Sequence, residues 1–116
     1  MIADHAVYMA IKAIAPTFPD VAPHGTEAPW IVYQQVGGMA EAFTENHAPA
    51  FEAARVQVSC WATSRSAAAA LAKSVETALI QDADCAARPL GARVSVFEDD
   101  GALYGTHQDF EVTTNN

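Results

Sequence analysis

Between Ile2 and Ala15 the apolar positions Ala3, Val7, Ala10 and Ile14, flanked by Ala6 and Ala13, recur at three- and four-residue spacing. That period gathers side chains on one stripe of a helix. Pro16 and Pro19 end it, and the prolines at 19, 23 and 29 with Gly25 predict an irregular connection over 17–29. Trp30 to Val36 is rich in β-branched and aromatic residues and reads as a strand, with Gly37 and Gly38 as its terminator. From Arg55 to Thr63 the pattern alternates. Val56, Val58, Cys60 and Ala62 share one face, and Arg55, Gln57, Ser59, Trp61 and Thr63 share the other.

A second helix follows. Ser64 or Ser66 can cap it by accepting a hydrogen bond from the free N–H groups of the first turn. Ala68, Leu71, Ala72, Val75, Ala78 and Leu79 form its apolar stripe, while Lys73, Ser74, Glu76 and Thr77 face away. The helix should stop near Asp82, ahead of Pro89. A closing hairpin is predicted from Ala92–Glu98, a turn through Asp99, Asp100 and Gly101, and Leu103–Thr113, with Tyr104, Phe110 and Val112 on one side. The stretch 39–54 carries opposing signals: Ala and Glu favour a helix, whereas Gly38, Asn46 and Pro49 break one. It reads as a long loop, of the kind that is usually functional or disordered.

The order helix, strand, strand, helix, strand, strand lacks the strand–helix alternation of a parallel doubly wound sheet. An α+β fold results, with a mostly antiparallel four-stranded sheet and both helices packed on one face. At 116 residues with 51% hydrophobic and 17% charged, the chain has material for one core and reads as a single domain over 1–116. Six Lys and Arg against fourteen Asp and Glu give a net charge of −8. The basic residues are scattered, which argues against a nucleic-acid groove, because phosphate binding relies on clustered Lys and Arg. No stretch approaches the roughly 20 apolar residues needed to span a bilayer, and Asp4, His5 and Lys12 interrupt the N-terminus in a way no signal peptide would. No membrane is implied, and a reduced cytoplasmic setting fits the two cysteines.

Chemistry-bearing patterns are sparse. G-x-S-x-G, H-E-x-x-H, a Walker loop and a dinucleotide fingerprint are all missing, so neither a catalytic residue nor a cofactor is predicted. Glu98, Asp99 and Asp100 lack the alternating spacing of a calcium loop and suit a turn. Cys60 shares its strand face with Val56 and Val58 and reads as core; Cys85 falls in a loop. His5, His24, His47 and His107 lie in four different elements and predict no metal site. Trp30 fits core packing or an assembly contact. Trp61 sits among Arg55, Gln57, Ser59 and Thr63, which favours contact with a partner over burial. Met39, Phe43 and Phe51 either pack under their own 39–54 loop or serve as apolar anchors that order it against a partner or an adjacent subunit.

Three segments in order carry a resemblance: APWIVYQQVGG at 28–38, RVQVSCWATSRSAAAALAKSVETAL at 55–79 and LYGTHQDFEV at 103–112. Together they look like the tail-completion or tail terminator proteins of tailed bacteriophages. The match runs from about His5 to Thr113, and 39–54 has no strong counterpart in the family pattern. The resemblance implies a structural protein that caps the tail tube as a homo-hexameric ring, ends tube polymerisation and offers a surface to the head-side connector. Its implied partners are itself, whether assembled in solution or from monomers, the tail-tube protein and the connector. Its implied places are the host bacterial cytoplasm during assembly and the virion tail. Double-stranded DNA would pass through without specific binding, which suits few basic groups. A compact chain of this length has a radius of gyration of about 13 Å. Six such subunits in a ring leave room for a duplex about 20 Å wide. The alternatives are another virion morphogenesis component, such as a head–tail connector or minor tail protein, and a small cytoplasmic enzyme.

Overall fold

The computed structural model describes residues 1–39 and 51–115. Its elements are α1 (Ala3–Ile11), β1 (Thr17–Pro19), β2 (Trp30–Met39), β3 (Phe51–Ala62), α2 (Arg65–Gln81), β4 (Arg88–Pro89), β5 (Val94–Glu98) and β6 (Leu103–Asn115). They form one six-stranded sheet in the order β1-β2-β3-β6, with β4 and β5 end to end along the far edge of β6.

The class and the two helices match the sequence reading, and the sheet corrects it in detail. β2, β3, β6 and β5 are the four antiparallel strands predicted. The sheet is nevertheless mixed, because β1 runs parallel to β2, Thr17 beside Ile31 and Pro19 beside Tyr33. This strand lies inside the connection predicted to be irregular. Prolines kept it out of the pattern, yet a proline is tolerated on an edge strand, where one side needs no N–H. β4 is a two-residue strand containing Pro89, placed at an edge for the same reason.

The long-loop reading is corrected too. Met39 is the last residue of β2, and 51–54 are the first four of β3. Gly37 and Gly38 do not terminate β2. They carry it through a bulge at Gln35–Gly37, with φ of 135° and 140°, a region open chiefly to glycine. A Cβ on Gly38 would lie 2.4 Å from the Ala53 carbonyl oxygen. Residues 40–50, including Phe43 and His47, lie outside the described residues.

Both helices lie on one face of the sheet. Ala3, Ala6, Val7 and Ile11 of α1 and Ala68, Ala72, Val75 and Leu79 of α2 are buried against Ile31, Val56, Val58, Cys60, Phe110 and Val112. The alanines bring the helix backbones close, and Phe110 is the largest side chain fully buried between the layers. Ser64, in extended conformation, accepts from the Ala67 N–H at 3.2 Å and starts α2. At its other end Asp82 Oδ1 accepts from the N–H groups of Asp84 and Cys85, turning the chain and sinking Cys85 into the core. Burial pushes both thiols up to about 12.

The molecule measures 53 × 26 × 23 Å with a radius of gyration of 15.0 Å, larger than the value of about 13 Å for a compact chain. The elongation follows the strands. Gln34–Met39 are all exposed, and this half of β2 with the first residues of β3 forms an open-edged end of the sheet, the arm; alongside it Ala54, Val112 and Thr114 stay buried, and the Met1 amino group just ahead of α1 donates to the Asn115 carbonyl at 3.0 Å.

Replacing Phe110 with Ala leaves a cavity between sheet and helices and should cost about 3–5 kcal/mol. Ser64→Ala should cost about 1 kcal/mol. Urea unfolding followed by circular dichroism measures both.

Candidate functional site

Alternation along the strands gives the sheet a second face that no helix among the described residues covers. It carries Trp30, Val32 and Gln34 of β2, then Arg55, Gln57, Ser59 and Trp61 of β3, then Gly105, His107, Asp109 and Glu111 of β6, with Val94 and Val96 of β5 at the edge. Trp30 pairs directly with Trp61, their ring centroids 6.5 Å apart. Trp61 pairs in turn with Gly105, and its six-membered ring lies over that glycine: a Cβ there would stand 2.6 Å from two ring carbons. Gly105 is thus the seat of a large aromatic side chain. Trp61 is half-buried by this packing, so part of its surface meets its own sheet and part faces outward.

Beyond the tryptophans the face turns polar. Ser59 Oγ and His107 Nδ1 share a hydrogen bond of 2.6 Å, and the edge of the His107 ring meets Trp61. The distance suits a nucleophile and its base, but such a pair needs a third group to orient the imidazole. Asp109, two residues along the strand, is engaged elsewhere. Arg55 donates to its Oδ2 through Nε at 2.8 Å and a second nitrogen at 2.6 Å, and Gln57 Nε2 donates to Oδ1 at 3.1 Å. Arg88 and Glu111 form a further ion pair at 3.2 Å. A shallow open groove of about 330 Å³ runs between this face and Asp20–Ala22. Its tryptophan and valine walls and scattered polar groups offer contact area and no convergent catalytic set.

At the far end of the same face the arm presents Met39 and Phe51. Met39 pairs with Ala53, and Phe51 follows two residues away on the same side, so two of the three candidate anchors lie together. They are 68% and 48% exposed. Trp61 stands toward the opposite end of the face. Among the described residues, no group of three or more His, Cys, Asp or Glu side chains is placed to hold a metal ion. His5, His24 and His107 lie on α1, on the connection after β1 and on β6.

Sequence reasoning missed Arg65. It opens α2, and its guanidinium donates to the carbonyl oxygens of Gly105 at 2.7 Å and Val96 at 2.6 Å while stacking 5.3 Å from the Tyr104 ring centroid. One side chain therefore fixes α2, β5 and β6 together. Gln108 does a similar task further along, donating to Glu76 at 2.8 Å and to the Gly91 carbonyl at 3.0 Å. Only pairing across the sheet locates these partners, and a linear pattern does not contain it. Among the described residues no helix is long and apolar enough to cross a membrane.

Gly105→Ala should destabilise the fold by about 1–3 kcal/mol through overpacking against Trp61. In a chain that also carries Trp61→Ala, the same substitution should cost far less. A double-mutant cycle by chemical denaturation reads the coupling.

Both the sequence and the fold have counterparts among known proteins. The profile of the family described as tail completion protein gp17 matches residues 1–115. A solved structure entitled "Virion of native gene transfer agent (GTA) particle" contains a chain with the same fold, at a TM-score of 0.61 and 16% identity over 97% of this chain and 93% of that one. No match is found among curated proteins. The chain belongs to the tail completion protein gp17 family, and it is accordingly a structural protein of a phage tail, not an enzyme.

Proposed function

We propose that the protein caps the end of the tail tube as a homo-hexameric ring, stops further tube polymerisation and presents a surface for joining the head-side connector. The arm carries this reading. The arm leaves Met39 and Phe51 exposed on one side, where they bury little against their own domain. It suits an apolar contact made with another subunit. Membership in a tail-completion family supplies the context, and the virion title of the structurally similar chain agrees with it.

Two physical features support a ring around DNA. Each subunit contributes a net charge of −8, so passing phosphates meet no basic cluster that would hold them. The uncovered face also neutralises its own cations: Arg55 is bound to Asp109 and Arg88 to Glu111. Assembly would occur in the host cytoplasm and leave the protein at the tail end.

The test follows tube length. Added to polymerising tail-tube protein, the wild-type protein should stop elongation and appear at one tube end by electron microscopy. A protein carrying Met39→Ser and Phe51→Ser should keep its fold, because both side chains are exposed, and lose termination. Tubes that lengthen equally with and without the wild-type protein would contradict the reading.

A further inference from the structure

The sheet ends in two strand edges, one on each flank, and among the described residues neither is paired along its length. On one flank β1 covers β2 only beside Ile31–Tyr33, leaving Gln34–Met39 open. On the other flank β5, Val94–Glu98, pairs with β6 alone. An open edge displays N–H and C=O groups ready to pair with another chain, and folded proteins usually guard such edges with lysine or proline. Gln34–Met39 contains no charged residue or proline, and β5 carries one charge, Glu98, at its last position. Both instead expose apolar side chains: Val36 and Met39 on one edge, Val94 at 61% and Phe97 at 52% on the other.

We infer that these two edges pair with each other between subunits, β2 of one copy against β5 of the next, and that this pairing is the repeating contact of the ring. The inference rests on the ring reading proposed above. The occupant is a second copy of the same chain, for three reasons. First, the strand directions fit. β2, β3, β6 and β5 alternate, each antiparallel to its neighbour. A β2 placed beside the β5 of the preceding copy is therefore antiparallel too, and the alternation continues unbroken from subunit to subunit.

Second, two different edges meet head to tail. Such a heterologous contact produces a closed ring or an open filament, whereas pairing of like edges would stop at a dimer.

Third, the stagger suits closure. Through the register, Gln34–Met39 lie level with Asp109–Thr113 of β6, and Val94–Glu98 lie level with His107–Leu103. The two open edges are thus offset by about six residues, or about 20 Å at the usual rise. β1 blocks the unshifted arrangement, because it occupies the β2 edge at the level where β5 would otherwise arrive. Four strands at about 4.8 Å give a subunit width of about 19 Å. An offset about equal to the width inclines the strands by about 45°, at the upper end of the 35–45° at which sheets close on themselves. Arg65 holds the β5 edge ready by clamping the Val96 carbonyl to α2, and the Gly37–Gly38 bulge sets the direction of the arm that must reach it.

Cross-linking tests the contact. Val36→Cys and Val96→Cys place one thiol on each edge, and the native Cys60 and Cys85 are buried. With a short bis-maleimide, under the conditions where light scattering finds assembled rings, a mixture of the two single variants should give covalent dimers. The double variant should give a ladder of multiples, and each single variant alone should stay monomeric on a denaturing gel. Cross-linking of a single variant with itself would show like edges meeting and overturn the proposal. Rings that form without cross-links in the mixture would also overturn it while leaving the ring intact. A chain that stays monomeric even with tail tubes present would overturn the ring reading, and the edge contact with it.

Discussion

β3 and β6 pair along their whole length, from Phe51 beside Asn115 to Ala62 beside Tyr104, and every other element is placed by that ladder. Alternation along the two strands sorts their residues. One face collects Val56, Val58, Cys60, Phe110 and Val112, and it must be covered. The other collects Arg55, Gln57, Ser59, Trp61, His107 and Asp109, which settle their polar groups among themselves. The helices follow from the first requirement, since their alanine-rich stripes can lie flat only against a continuous apolar face. At the far end of the ladder Ala54, Val112 and Thr114 are still buried, and it is the outer part of β2, Gln34–Met39, that is left exposed.

A one-residue slip in this pairing would move Trp61 off Gly105 and carry the core side chains to the wrong face. The seating of Trp61 on Gly105 therefore acts as a register mark. Arg65 adds a second, because its guanidinium reaches the Gly105 and Val96 carbonyls together only when β5 and β6 are correctly aligned under the start of α2. These two side chains together tie β3, β5, β6 and the start of α2 into one register.

Much of this was legible in the sequence. The period-two run at 55–63 and the helical stripe at 68–79 gave β3 and α2 because tertiary packing and local pattern agree there. The hairpin through Asp99–Gly101 was legible from its turn residues. β1 and β4 were hidden because each contains a proline and borrows its ladder from a distant partner. The full extent of β2 was hidden because Gly37 and Gly38, read as a stop, serve as a bulge that needs positive φ. Of the candidate residues, Met39 and Phe51 stand out as apolar positions in the 39–54 stretch and Trp61 by its polar neighbours; the structure puts Met39 and Phe51 at one end of the open face and Trp61 toward the other, while Phe43 lies outside the described residues. Arg65 left no linear signal, since its meaning lies in two carbonyls thirty and forty residues away.

The domain is stabilised through one face of its sheet, while the other face, the arm and both edges stay exposed among the described residues. The proposed ring puts six copies of it at the tube end. Light scattering of the purified protein over a concentration series, with and without purified tail tubes, decides whether they assemble. A mass near six subunits is expected, either in the protein alone at high concentration or on addition of tubes. A strict monomer that neither assembles nor binds tubes at any concentration would overturn the ring.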